Sequence, residues 1–206
     1  MKSRILPATF FQRPDVVQVA RELLGKLLVT EVNGEQTIGR IVETEAYAAD
    51  DRASHAHLAR RTNRTEPMFA AGGMAYVYLC YGIHHLFNIS TNVEGIAEAV
   101  LIRGVEPMKG EEIMARRRGL PVGQSRITAG PGALTQALGI GKAHNGKALP
   151  QPDLWIEDDG FGVNEEDIIA GTRVGVAYAK EDAYLPYRFW IRGNRWVSKA
   201  KGLAIE

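Results

Sequence analysis

Asn33-Gly34 stands between two runs, LLVTEV (27–32) and EQTIGRIVETEAY (35–47), both rich in apolar and β-branched residues. Asn-Gly is the strongest two-residue hairpin signal, since both central residues of the favoured turn need positive φ. The pair therefore predicts an antiparallel hairpin near the start of the chain. More strands are predicted at Met74–Tyr81, Phe87–Thr91 and Ala99–Arg103, around Trp155, and at Val174–Tyr178 and Arg188–Arg192. Helices are predicted from Pro14-Asp15 to a stop at Gly25, over Met108–Arg118, and over Pro131–Leu138 with Pro at its start and Gly139 at its end. Ala48–Pro67 is polar, Arg-rich and irregular, and a loop that long is usually functional or disordered. The expected fold is α+β: a single domain, residues 1–206, with a mostly antiparallel curved sheet surrounded by helices. A chain of this length buries roughly 70% of its unfolded surface and folds without staples.

Composition narrows the class. One cysteine, Cys80, excludes an intramolecular disulfide and a Cys-rich metal centre, and suits a reducing compartment. The segment Met1–Val16 has no apolar core of a secretory signal, and the apolar-looking run Gly72–Ile83 is too short to span a bilayer. A cytoplasmic chain is expected, without membrane attachment. The net charge of +1 hides an uneven distribution. Residues 153–167 hold seven acids and no Lys or Arg; outside them 25 basic residues face 17 acidic ones. Arg52, Arg60, Arg61 and Arg64 form one basic cluster, and Arg116, Arg117, Arg118 and Arg126 another. Basic residues, Arg173 and Arg188 among them, also spread along the C-terminal segment. A polyanion partner is compatible with this pattern, although Arg116–Arg118 also read as a solvated helix face.

Side chains alternate along a strand, so Glu43, Glu45 and Tyr47 share one face and Val42, Thr44 and Ala46 the other. Two carboxylates and a phenol on one face suit a general base held near an apolar wall; a charged edge strand is the competing reading. In the tyrosine-rich strand, Tyr76, Tyr78 and Cys80 face one way, and Val77, Leu79 and Tyr81 the other. Tyr81 precedes Gly82 at a turn, where an aromatic side chain can act as a wedge. The tyrosines can line a slot for a flat ligand or simply pack as core. Arg103 shares a face with Leu101 and requires an anionic partner if buried. Asn88, in FNIS, needs hydrogen-bond partners there. His55, His57, His84 and His85 lack metal-ligand spacing, and neither a P-loop nor a Gly-x-Ser-x-Gly elbow is present. No metal or cofactor is expected.

Taken in order, ARELLGKLLV (20–29), GRIVETEAY (39–47), SHA (54–56), RTNRTEPMF (61–69), YVYLCYGIHHLFNIS (76–90), AVLIRGVEP (99–107), TAGPGALTQALGI (128–140), RVGVAYA (173–179) and RFWIRGNRWVS (188–198) resemble the alkyladenine, or 3-methyladenine, DNA glycosylases found in animals and many bacteria. The resemblance implies a monofunctional enzyme that flips damaged purines out of double-stranded DNA and hydrolyses the N-glycosidic bond, acting as a monomer. It implies that Glu45 is the general base, with Arg103 and the main-chain carbonyl of Val174 placing the water. Tyr47, His55 and Tyr78 would sandwich the base, beside Leu101, with Asn88 screening its edge. Tyr81 would enter the duplex, and Arg60, Thr62, Arg64, Met68 and His84 would lie along the DNA. His84 stands where the animal proteins have tyrosine. A hydrolase of free nucleosides or RNA, and a binding module that does not cut, are the competing functions.

Overall fold

The computed structural model describes residues 3–204, so the first two and last two residues of the expected domain lie outside it. The elements run β1 (Arg4–Ile5), α1 (Ala8–Phe11), α2 (Val16–Glu22), β2 (Leu27–Val32), β3 (Glu35–Tyr47), β4 (Ala75–Cys80), β5 (His84–Thr91), β6 (Glu98–Lys109), α3 (Glu111–Arg118), α4 (Pro131–Leu138), β7 (Leu154–Asp158), β8 (Ile168–Gly171) and β9 (Arg188–Ile191). The predicted hairpin joins β2 to β3: Val32 faces Glu35, and Asn33 and Gly34 take φ of 56° and 75°. Among the described residues every strand pairing is antiparallel, in the order β1-β7-β2-β3-β6-β5-β4. The architecture is the expected α+β one.

Strand β3 positions the site. Its first half pairs with β2 as far as Arg40 opposite Leu27. Beyond that, β9 takes over the vacated edge, with Glu43, Thr44 and Glu45 opposite Trp190, Phe189 and Arg188. The register between β3 and β6 shifts on both sides of Glu43. Such a bulge breaks strict alternation and re-aims side chains. Ile41 and Val42 therefore both reach the main core, while Glu43 and Glu45 point to the opposite face. One row of opposed residues then crosses the sheet: Tyr76, Asn88, Leu101, Glu45 and Arg188.

The core lies behind that row. Val42, Ala46, Val77, Phe87, Ile89, Val100 and Ile102 pack with Val19 and Ala20 of α2, with Leu23 just after it, and with Leu134, Ala137 and Leu138 of α4. Each fully buried aliphatic side chain contributes roughly 1.5–3 kcal/mol. Helix α2 starts where the side chain of Asp15 accepts the Gln18 amide. Behind it Gly25 turns the chain at φ +86°, so Leu27 joins β2 rather than extending the helical stripe.

Two predicted elements are corrected. Met108 and Lys109 belong to β6, because Lys109 still pairs with Ile38; helix α3 begins only after Gly110, at φ +75°. Val174–Tyr178 is not a strand: Gly175 turns at φ +77° and a 3-10 segment covers Ala177–Tyr184. The strand before β9 is β8, and β1 too has no counterpart among the predicted strands.

The charge reading changes as well. Arg173 and Arg188 are buried, not spread over a surface. Arg116 and Arg117 pair with Glu35, and Arg117 also donates to the carbonyls of Ala137 and Val32. They tie α3 to the hairpin and to α4, with Arg116 still on a solvated face and Arg117 largely covered. The acidic segment is paired too: Asp158 with Lys26 and Asp159 with Arg40, both at 2.8 Å, and Glu165 with Arg21.

Candidate active site

Glu43 and Glu45 are both fully buried, which removes the edge-strand reading. The Tyr47 hydroxyl donates to Oε2 of Glu45 at 2.8 Å, and the Val174 amide donates to Oε1 at 2.8 Å. Arg103 Nη1 lies 3.3 Å from Oε2. Glu45 thus has its orientation set by three groups from different parts of the chain. Each carboxylate oxygen accepts about two hydrogen bonds, so Oε1 retains capacity toward the cavity it borders.

That cavity, of about 570 Å³, opens over the row of opposed residues. Glu45, Leu101 and Arg103 form its floor, with Tyr47, His55, Met68, Tyr78, Asn88 and Val174 around it. The His55 ring meets Tyr78 edge-on at 4.8 Å, and Nδ1 of His55 pairs with the Tyr76 hydroxyl at 2.9 Å. Asn88 is buried and donates to the Tyr76 carbonyl at 3.1 Å. The Tyr47 ring is backed by the Arg173 guanidinium at 4.9 Å. Arg173 is itself held by Asp51, by the Ala46 carbonyl at 2.9 Å and by the Asp182 carbonyl at 2.9 Å.

Behind Glu45 sits a second carboxylate, which alternation places on this face without revealing its partners. Glu43 accepts from Arg103 Nε at 2.8 Å, Arg188 Nε at 2.9 Å, the Ser198 amide at 2.7 Å and the Ser198 hydroxyl at 2.9 Å. The C-terminal segment closes over it because residue 104 is glycine. A Cβ there would stand 2.8 Å from the Trp196 carbonyl and 3.3 Å from Glu43 Oε2. Sequence reading also misses Tyr178 and the Asp51–Arg173 pair as parts of the site. A buried arginine in RVGV carries no signal beyond its place in an apolar run.

The DNA-side candidates scatter around the mouth. Tyr81 is 91% exposed at the tip of the β4–β5 turn. Its φ of 50° is an uncommon conformation for a bulky residue and costs about 1 kcal/mol. Arg60, Thr62 and Arg64 border a second cavity of about 530 Å³ that shares His55, Arg64 and Tyr178 with the first. His84 lies apart from both cavities, packed on Gly132 at the start of α4, where a Cβ would meet it at 2.8 Å. Pro131, just before it, does line the main cavity.

Electrostatics sort the groups. Burial would lower the Arg103 pKa, but the Glu45 and Glu43 carboxylates outweigh it and raise the value, so the guanidinium stays charged. The Tyr47 phenol is pushed well above its ordinary range, first by burial and then by the Glu45 carboxylate, and remains a donor. Burial, helped by the Arg64 charge, lowers His55 from 6.5 to about 4. An unfolded chain protonates this histidine near pH 6.5 while the folded one does not. Its contribution to stability is therefore complete above pH 6.5 and falls as pH drops toward 4. In an NMR titration the His55 ring should stay neutral until about pH 4. A midpoint near the ordinary histidine value would contradict this burial.

The cavity thus combines aromatic side chains with a buried carboxylate on one face of the sheet. The comparisons with known proteins name the class. Residues 9–195 match the family model for methylpurine-DNA glycosylase. A protein of Myxococcus xanthus (strain DK1622) with the provisional name 3-methyladenine DNA glycosylase is 48% identical over 195 residues, covering 94% of this chain and 93% of that protein. Proteins with the same provisional name from Carboxydothermus hydrogenoformans and Chlamydia felis (strain Fe/C-56) are 45% and 43% identical. They cover 95% and 90% of this chain, and 99% and 95% of their own lengths. The chain belongs to the methylpurine-DNA glycosylase family. It is a DNA N-glycosylase, a hydrolase of DNA repair.

Proposed function

We propose that the chain releases alkylated purines, and deaminated ones such as hypoxanthine, from double-stranded DNA and leaves an abasic site. The reading rests chiefly on the position of Glu45, oriented by Tyr47, Val174 and Arg103 on the floor of the aromatic cavity. A purine stacked in a duplex hides its glycosidic bond, so the nucleotide must first leave the helix, at a cost of a few kcal/mol. The exposed Tyr81 fills the gap. The extruded base stacks among Tyr47, Tyr78 and His55. Alkylation often leaves a positive charge on the purine, which aromatic faces attract. A His55 that stays neutral adds no opposing charge.

Glu45 then accepts a proton from a water whose oxygen attacks C1′. The C1′–N bond breaks and its electron pair leaves with the base: a cationic base departs neutral, and a neutral one departs as an anion that takes up the proton Glu45 has accepted. Arg103 and the Val174 carbonyl hold the water, and Asn88 screens the purine edge. Among the described residues that line the cavity none is a lysine, so no Schiff-base step follows and the reaction stops at the abasic site. The candidate bases are 3-methyladenine, 7-methylguanine, hypoxanthine and 1,N6-ethenoadenine. We further propose that residues 1–206 act as one domain and as a monomer, in the cytoplasm and on the nucleoid if the host is bacterial. Among the described residues no helix is long and apolar enough to cross a membrane.

The test compares the unmodified enzyme with Tyr81→Ser on alkylated duplex and on the matching free nucleoside. Alkali-labile sites should accumulate in the duplex, and the variant should produce them about tenfold or more slowly, as expected for loss of one stacked aromatic. Neither protein should turn over the nucleoside at a comparable rate. Efficient nucleoside hydrolysis that ignores the Tyr81 substitution would replace this reading with that of a nucleoside hydrolase.

A further inference from the structure

Among the described residues Arg64, like Arg60, makes no ion pair, whereas Arg52 binds Glu181 and Arg61 binds Glu66 at 2.6 Å. Its guanidinium lies instead over the Tyr78 ring, 4.6 Å from the centroid, with Nη2 3.5 Å from His55 Nε2. Tyr78 and His55 are two walls of the slot assigned above to the extruded base. A guanidinium is a flat, delocalised cation, and this one lies over a Tyr78 ring with which it lines the same cavity, as a flat cationic purine would.

The backbone beneath it is fixed. The Thr65 hydroxyl donates to the Arg60 carbonyl at 2.9 Å, and the Thr65 amide donates to the Thr62 carbonyl at 3.0 Å. Freedom therefore resides in the Arg64 side chain, which borders both cavities. The second cavity, with Arg60 and Thr62 on its wall, offers the guanidinium a position outside the slot.

We propose that Arg64 is an internal occupant of the base slot: it stacks on Tyr78 in the free enzyme and swings toward the DNA backbone when a base enters. The inference deepens the function proposed above and rests on it. While Arg64 holds its seat, every base must displace a stacked cation to enter. On the DNA side the released guanidinium gains a phosphate. Arg64 thus opposes occupation of the slot by a base alone and favours occupation by a base attached to a duplex.

The two contributions have opposite signs in one variant, Arg64→Gln, at a position exposed enough for the fold to tolerate the change. Binding of free 3-methyladenine, measured by calorimetry or as product inhibition, should become about three- to tenfold tighter, since the competing stacked cation is gone. Binding of a duplex with an abasic-site analogue should weaken, with a salt dependence shallower by about one phosphate contact. A variant that binds the free base no tighter than the unmodified enzyme overturns the placement of Arg64 in the slot. If neither protein binds the free base while alkylated duplex is still processed, the base slot itself is misassigned and the inference falls with it. A purely structural role would weaken both kinds of binding together.

Discussion

Glu45→Gln should lose base release by about 10²- to 10⁴-fold, the usual contribution of a positioned general base, while still binding a duplex with an abasic-site analogue. The amide matches the carboxylate in shape. Its oxygen can keep the bond from the Val174 amide, and its nitrogen can donate to the Tyr47 hydroxyl, which accepts as well as donates. Arg103 keeps Glu43 as its anionic partner at 2.8 Å. The substitution keeps the shape and removes basicity, together with one negative charge of the buried cluster and the contact of Oε2 with Arg103, so the thermal melt is read beside the rate. Single-turnover release of 3-methyladenine from alkylated duplex measures the loss, and a thermal melt checks that the fold holds. Release at the unmodified rate would show that water is activated by some other group, and would remove the mechanism while leaving family membership untouched.

The parts of this site that are local in the chain are legible in the residue pattern alone. Alternation places Glu43, Glu45 and Tyr47 on one face, Tyr76 and Tyr78 on one face, and Leu101 with Arg103, since each statement needs only a two-residue period. The place of Tyr81 at a turn follows from Gly82 beside it. What stays hidden is non-local. That β9 covers the edge of β3 where β2 stops, bringing Arg188 opposite Glu45, depends on a strand far along the chain. RVGV has the composition of a strand, yet Gly175 bends it and the Val174 amide is bound to Glu45. The bulge at Glu43 leaves no mark in the pattern, and it lets Ile41 and Val42 both enter the core. Arg173 and Arg188 count as surface charge in the sequence, whereas in the fold they balance buried carboxylates. Net charge accordingly says less about DNA binding than the formal total suggests. Arg60 and Arg64, at the mouth of the cavities, are the exposed arginines to which the proposed function assigns phosphate contacts.

Glu43→Ala should destabilise the protein by about 3–5 kcal/mol, the range for removing one partner of a buried ion pair. Glu43, Glu45, Arg103 and Arg188 form a cluster of two negative and two positive groups, all buried. Removing Glu43 leaves one uncompensated guanidinium charge away from water and also abandons the Ser198 amide and hydroxyl. For a chain of this size the loss corresponds to a drop in Tm of about 6–20 °C. Glu43→Gln should cost less, because it keeps an acceptor for Arg103 Nε even though the charge is gone. Catalysis should suffer too. The Nε of Arg103 is now spent on Glu43, which holds the guanidinium so that only Nη1 approaches Glu45. Freed from that bond, Arg103 can rotate to grip Glu45 through two nitrogens and draw it away from the Tyr47 hydroxyl. Thermal and urea unfolding of both variants, with release rates for the one that folds, separate the two effects. If the alanine variant melts within about 2 °C of the unmodified protein, less than the shift that 1 kcal/mol produces in a chain of this size, the cluster is not held by charge balance. Arg103 would then owe its orientation to packing by the segment that closes over Gly104.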